Sequence, residues 1–340
     1  MHSFGAIRLA YDRYHRLRRL AARLLAVAAL LPVAAVATAA THPKVIRLDY
    51  AYYAPESLVI RHFGWLEQEF QHDGVAVSWV FSAGSNRALE YLNSNSVDFC
   101  STAGLAAVLS RANGNPVKAI YVFSRPEWTA LVVSANSPIH SLRDLKGKKV
   151  AATRGTDAYL FLLRSLHEVG LTRSAIQPVD LQHADGRAAL EQGRVDAWAG
   201  LDPMMAASQL QNGSRLLYRN VSFNSYGVLD TSERFASAYP DVVHRVLRVY
   251  ERARHWILTH PDDTAALLAQ ESKLPLAVAK LQLSRTDFND PVPDARHAAA
   301  LKAAAPILLQ ENLVRPGTDV DAAIDQLIEP RFATTVLAAQ

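Results

Sequence analysis

Cysteine is nearly missing from this sequence of 340 residues, where Cys100 stands alone. No internal disulfide can form, whatever the redox state of the compartment, and the thiol lies too far from the N-terminus to be a lipid anchor. Long apolar runs are confined to the N-terminal segment. The longest there, about 17 residues from Leu24 to Ala40, sits at the lower edge of a membrane span and contains Pro32. No Walker phosphate loop, nucleophile elbow or zinc-spaced His/Cys cluster occurs, so no metal or cofactor is expected.

A charge of one sign is also lacking beyond the leader. Tyr11 to Arg23 holds Arg13, Arg16, Arg18, Arg19 and Arg23 against the single acid Asp12. The uncharged run that follows ends in Ala37-Thr38-Ala39. This order of basic, apolar and small residues predicts a secretory signal peptide over 1–39, cleaved near Ala39, and a periplasmic protein. Setting aside the leader's six arginines and one aspartate leaves 30 basic and 31 acidic residues, so the formal net charge of +4 over the full sequence comes from the leader. A mature chain so balanced offers no electrostatic footprint for nucleic acid or an anionic membrane.

The mature chain repeats itself. Arg87 to Gly104 (RALEYLNSNSVDFCSTAG) returns as Arg187 to Pro203 (RAALEQGRVDAWAGLDP), with Val97-Asp98 matched by Val195-Asp196. Each stretch reads as an amphipathic helix, a polar turn, a short apolar strand and a new helix. Strands over Val45–Tyr50 and Val75–Phe81 precede the first copy, and strands from Lys149 and Val179 precede the second. Each half is therefore a β-α-β-α-β unit, which implies a mainly parallel sheet covered by helices. Tyr226 to Asp230 reads as a strand returning to the first half. Beyond Ala238 the pattern is helical and strandless, with Val242, Val246, Val249 and Tyr250 on one buried face. The expected organisation is a discontinuous first lobe, residues 43–133 and 226–340 with the tail packed on it, and an inserted second lobe, residues 134–225.

In such sheets ligands gather at the carboxyl ends of the strands, where helix N-termini offer free N–H groups to an anion. Four joins carry suitable small or hydroxylic residues: Gly84-Ser85-Asn86, Ser101-Thr102, Gly155-Thr156-Asp157 and His183-Ala184-Asp185. Each alone is equally a set of helix caps. Two lobes bringing such joins face to face would make an anion cleft.

The run Asp49-Tyr-Ala-Tyr-Tyr-Ala-Pro-Glu-Ser-Leu58, with Gly64-Trp-Leu-Glu67, Ala83-Gly-Ser-Asn86, Val97-Asp-Phe-Cys-Ser-Thr102, Asp144-Leu-Lys-Gly147 and Val195-Asp-Ala-Trp198, resembles the aliphatic sulfonate-binding proteins of ABC importers. They belong to the wider group that also binds taurine and nitrate. The resemblance implies a two-lobed periplasmic-binding-protein fold of type II. It also implies a monomer that closes on a small organosulfur anion and delivers it to a membrane permease with its ATPase. A sulfonate or sulfate ester is always ionised and has only acceptor oxygens, so its site needs donors. Backbone N–H groups, Ser85, Ser101, Thr102 and Thr156 are the candidates, with Arg154 for a charge-assisted contact. Tyr53 and Trp198 could pack on the apolar portion, although Trp198 also reads as core. Asp202 before Pro203 reads first as a helix cap, and secondly as a carboxylate facing the ligand. The rival is an enzyme of the desulfinase kind on the same fold, with Cys100 as nucleophile at a helix N-terminus that lowers its pKa. Against it, no His base can be placed beside Cys100.

Overall fold

The computed structural model describes residues 42–339, and the leader expected over 1–39 lies outside the described residues. The first half runs β1 (Val45–Tyr50), α1 (Pro55–Phe63), α2 (Trp65–Phe70), β2 (Ala76–Phe81), α3 (Ser85–Asn93), β3 (Phe99–Ala103), α4 (Gly104–Ala112) and β4 (Val117–Pro126). The second runs β5 (Thr129–Val133), β6 (Lys149–Ala152), α5 (Asp157–Glu168), β7 (Gln177–Asp180), α6 (His183–Glu191), β8 (Ala197–Leu201), α7 (Met204–Asn212) and β9 (Arg215–Tyr218). The chain returns as β10 (Gly227–Ser232) and continues through α8 (Glu233–Ala238), α9 (Pro240–Thr259), α10 (Pro261–Ser272), α11 (Leu276–Leu283), β11 (Thr286–Asp287), α12 (Ala295–Ala304) and α13 (Pro306–Gln310).

The two sheets have one plan. The first is ordered β11-β4-β10-β3-β1-β2 and the second β9-β5-β8-β6-β7. In each, three strands of one half are parallel, and the strand beside them is antiparallel and enters from a crossing: β10 in the first sheet, β5 in the second. The repeated Val-Asp explains itself here. Asp98 exchanges backbone bonds with Arg47, its N–H donating to the Arg47 carbonyl at 2.7 Å while its carboxylate accepts the Arg47 N–H at 2.9 Å. Asp196 does the same with Lys149, at 2.8 Å in both directions. The carboxylate thus stands in for a ladder bond where each parallel pair begins.

Three expectations need correction. The strand Thr129–Val133 does not close the first lobe, because it pairs with β8 and β9 in the second sheet; the crossing falls at Glu127-Trp128. The tail is not strandless, since Thr286–Asp287 extends the edge of the first sheet beside β4. Nor does the tail pack on the first lobe alone. Val278 of α11 joins Ala206 and Ala207 of α7 in one apolar cluster, and Glu311, just after α13, meets His167 of α5 at 2.6 Å. Val278 and Ala279 sit side by side on α11, one in the cluster with α7 and the other in a cluster with Leu58 of α1, so burial ties this helix to both lobes.

Candidate functional site

The strand–helix joins after β3 and β8 are closed by other parts of the chain. At the start of α4, Gly104 N–H donates to the Tyr226 carbonyl at 2.8 Å and Leu105 N–H to Ser225 Oγ at 3.1 Å. Near the start of α7, Ala206 N–H donates to Asp202 Oδ1 at 2.8 Å. The joins after β2, β6 and β7 lie where the lobes meet. A Cβ built on Gly84 would stand 3.1 Å from Asn86 Oδ1 and 3.2 Å from His183 Nε2, across the cleft; one on Gly155 would touch Asn86 Cβ at 3.4 Å. Glycine at 84 lets the two faces meet closely, since a Cβ there would press on the Asn86 and His183 side chains.

Between the faces lies a small void of about 10 Å³, lined by Tyr53, Ser85, Ala103, Trp128, Thr156, Asp157 and Leu201. That is room for about one water. Three sequence candidates, Tyr53, Ser85 and Thr156, meet here. Ser85 Oγ accepts the Ala103 N–H at 3.0 Å, which leaves its own proton to donate. Thr156 Oγ1 donates to the Thr153 carbonyl at 2.7 Å, so at that join the main chain, not the hydroxyl, faces the void as a donor. Tyr53 donates its hydroxyl to the Ser101 carbonyl at 2.9 Å and sets its ring edge-on to Trp128, 5.9 Å between centroids. Asn86, Arg154 and Gly155 line an open groove of about 590 Å³ at the cleft mouth, with Asp180 and Gln182. Arg154 is exposed there, and its N–H donates to Asp180 Oδ1 at 3.2 Å.

Four candidates point elsewhere. β3 extends to Ala103, so Ser101 and Thr102 are strand residues, wholly buried, and not loop donors. Thr102 Oγ1 donates to Asp230 Oδ2 at 2.5 Å, and Ser101 N–H donates to Asp49 Oδ1 at 2.8 Å. Trp198 is fully buried in the second lobe, packed on Gly186, Ala189 and Leu190, and does not line the void or the groove. Asp202 is buried and ion-paired with Arg285 of the tail at 3.2 Å, so its carboxylate is committed. Burial outweighs that partner and raises its pKa to about 6. Asp202 does cap α7, but the residue at the cap position itself is Pro203, and the helix starts at Met204.

Cys100 lies inside β3, fully buried. Burial first, then the nearby Asp230 and Asp49 carboxyls, pushes its thiol well above the usual range. This is the reverse of the lowered pKa expected beside a helix N-terminus, because the strand runs three residues past the cysteine before α4 begins.

Sequence reasoning put Asp157 and His183 in candidate joins without giving either a role at the ligand, and it did not name Trp128 as a site residue. Asp157 Oδ2 accepts Trp128 Nε1–H at 3.0 Å and Ser225 N–H at 2.9 Å, and its Oδ1 accepts Ser225 Oγ–H at 2.9 Å. One carboxylate at the start of α5 therefore ties down both crossings between lobes. Burial raises its pKa even so. The available signal for Trp128 was a lone tryptophan in the polar segment Ser124–Trp128. His183 opens α6, is 3% exposed, and neither ring nitrogen has a partner. Desolvation lowers its pKa to about 4, so the buried ring is neutral at pH 7.

The sequence model of the NMT1/THI5-like family matches residues 64–264. An aliphatic sulfonates-binding protein of Escherichia coli (strain K12) is 32% identical over 295 residues, 86% of this chain and 92% of the relative. The alkanesulfonate-binding protein SsuA of Xanthomonas axonopodis pv. citri, solved bound to MOPS, superposes with a TM-score of 0.76 at 28% identity, covering 83% of this chain and 98% of that one. The desulfurization enzyme DSZB superposes at 0.65 with 16% identity, covering 87% of this chain and 99% of that one, a likeness of fold alone.

Proposed function

The chain belongs to the NMT1/THI5-like family, and from that premise we propose that it is the periplasmic substrate-binding protein of an ABC importer, capturing an organosulfur anion between its lobes. The ligand class is an aliphatic sulfonate or sulfate ester, and the closed protein hands it to a membrane permease with its ATPase. Secretion by the leader, with cleavage near Ala39, places it in the periplasm. It acts as a monomer and as a binder, not an enzyme: Cys100, the rival nucleophile, is held protonated in the core of the first sheet.

One observation carries the reading. The first turns of α3 and α5 converge on the void between Ser85 and Thr156, one from each lobe, with no carboxylate oxygen free to repel an anion, since Asp157 is engaged by three donors. Two helix N-termini with uncommitted N–H groups, together with the Ser85 hydroxyl, make a donor-only cradle for sulfonate oxygens. Tyr53, Trp128 and Leu201 bound it with apolar surface. Gly84, Asn86, Gly155 and Arg154 form the mouth, where Arg154 draws the anion in.

A void of about 10 Å³ does not admit a sulfonate with its tail. The lobes must part about the crossings Glu127-Trp128 and Arg219–Tyr226, which Asp157 holds as the pivot, and close again over the ligand. Only contacts made to both lobes favour the closed state, so ligand donors on each side are what drive the shift.

Thermal melting of residues 40–340 against alkanesulfonates, taurine, aryl sulfonates, sulfate esters, sulfate and nitrate tests this. A ligand that binds only the folded form stabilises it by about 2.7 kcal/mol at a hundred times its Kd. Shifts confined to organosulfur anions are expected. A shift with nitrate alone, or none on protein freed of carried-over ligand, overturns the sulfonate reading. Turnover of a sulfinate that is lost on replacing Cys100 would restore the enzyme.

A further inference from the structure

Where α6 meets the first lobe, buried polar atoms without partners face one another across the cleft. At the start of α6 they are Gln182 Oε1 and both ring nitrogens of His183, and Asn86 Oδ1 faces them from the other lobe. The position a Gly84 side chain would fill lies within 3.2 Å of both Asn86 Oδ1 and His183 Nε2. Native proteins rarely leave such groups unmatched, because each gives up hydration and gains nothing. An aromatic ring without nitrogens would fill the same space at lower cost. A histidine retained there has a use that the closed, ligand-free arrangement does not display.

We propose that His183 is a head-group contact of the ligand and the second lobe's determinant of specificity, donating a ring N–H to an anion oxygen held over the Gly84–Asn86 turn. This rests on the anion-binding reading of the cleft. Three features converge on it. His183, the first residue of α6, meets Gly84, the N-cap of α3, so the starts of both helices lie beside this point, where their N–H groups and dipoles favour an anion. The ring is neutral, so it offers one donor and does not bring a buried charge into the empty site. The Asn86 amide reaches the same point and, turned to present Nδ2, adds a donor from the first lobe. His183 and Asn86 then grip one oxygen set from opposite sides, which is the bridging contact that closure needs.

The test is titration calorimetry of wild type, His183→Phe and His183→Gln with hexanesulfonate and with inorganic sulfate, alongside melting of each ligand-free protein. Loss of a hydrogen bond to a charged group predicts affinity about 10- to 100-fold weaker in H183F. H183Q, which keeps an amide donor, should recover most of that loss. The melting temperature of ligand-free H183F should equal or exceed that of wild type, whereas a structural histidine would lower it. Binding by H183F within about twofold of wild type overturns this proposal and leaves the sulfonate reading standing. Silence of wild type toward both probes overturns the two together.

Discussion

The two faces of the cleft are built from the same repeat yet spend their polar side chains differently. On the first lobe they are turned inward: Ser85 Oγ accepts from Ala103, Thr102 donates to Asp230, and Asp49 accepts from Ser101. What that face offers a ligand is mainly backbone. On the second lobe Thr156 and Asp157 are likewise committed, to the loop and to the crossings, but His183 is buried and uncommitted, as is the Oε1 atom of half-buried Gln182. A face whose side chains are mostly turned inward, with Asn86 Oδ1 the exception at the cleft, can hold an anion with little rearrangement. A face with unmatched groups gains most when something arrives to match them. The difference suits a first lobe that receives and a second that closes.

That contrast can be broken at several points. The largest effect is expected from Asp157→Ala, which strips the shared acceptor from Trp128 and Ser225 and leaves buried donors unmatched. Chemical denaturation should show a loss of about 3 kcal/mol or more, and the same loss with the lobes still rigidly coupled by scattering would refute its role as pivot.

Asp49→Asn sharpens the inward-facing side. Burial raises the Asp49 pKa from 3.8 to about 7, so the folded state favours its protonated form. Its contribution is full below about pH 4 and is lost as pH rises through about 7. Asparagine keeps an acceptor for Ser101 and removes the titration. The variant should gain up to roughly 4 kcal/mol relative to wild type between pH 4 and 8, read from urea midpoints across that range. Parallel profiles would mean the Asp49 carboxyl is not desolvated.

Gly84→Val tests whether the faces truly meet. Its side chain would collide with His183 and Asn86, a cost of about 1–3 kcal/mol to the closed state, or about 10- to 100-fold in affinity for hexanesulfonate, with the melting temperature of the open form little changed. Unaltered affinity would separate the two faces. The smallest effect belongs to Cys100→Ser, which should leave affinity within about twofold; a native protein whose thiol reacts readily with iodoacetamide at pH 8 would contradict its burial.

Much of the fold was legible in advance, and for a definite reason. The order of β-α-β-α-β units, the return strand at Tyr226–Asp230 and the repeated Val-Asp all express local periodicity and backbone matching. Asp98 and Asp196 make the same bonds because the same local geometry recurs. The candidate site was legible only in part. Gly84, Ser85, Asn86, Gly155 and Thr156 fell where strand–helix joins put them. Ser101 and Thr102 did not, because β3 runs to Ala103 and both are strand residues buried inside the first lobe. Trp198 was ambiguous on sequence, and burial on Gly186 decided it.

From its own residues the chain determined a duplicated α/β architecture and the positions of its anion-ready joins, since helix caps, apolar periodicity and strand–helix alternation act within a few residues of one another. Tertiary structure alone decided which joins stay open. Tyr226 and Ser225 close the α4 terminus, and Asp202, held by Arg285 of the tail, closes that of α7. His183 meets Gly84 across almost a hundred residues of sequence. Whether a polar group is spent or spare depends on what the rest of the chain brings within 3.5 Å of it, and no local pattern records that.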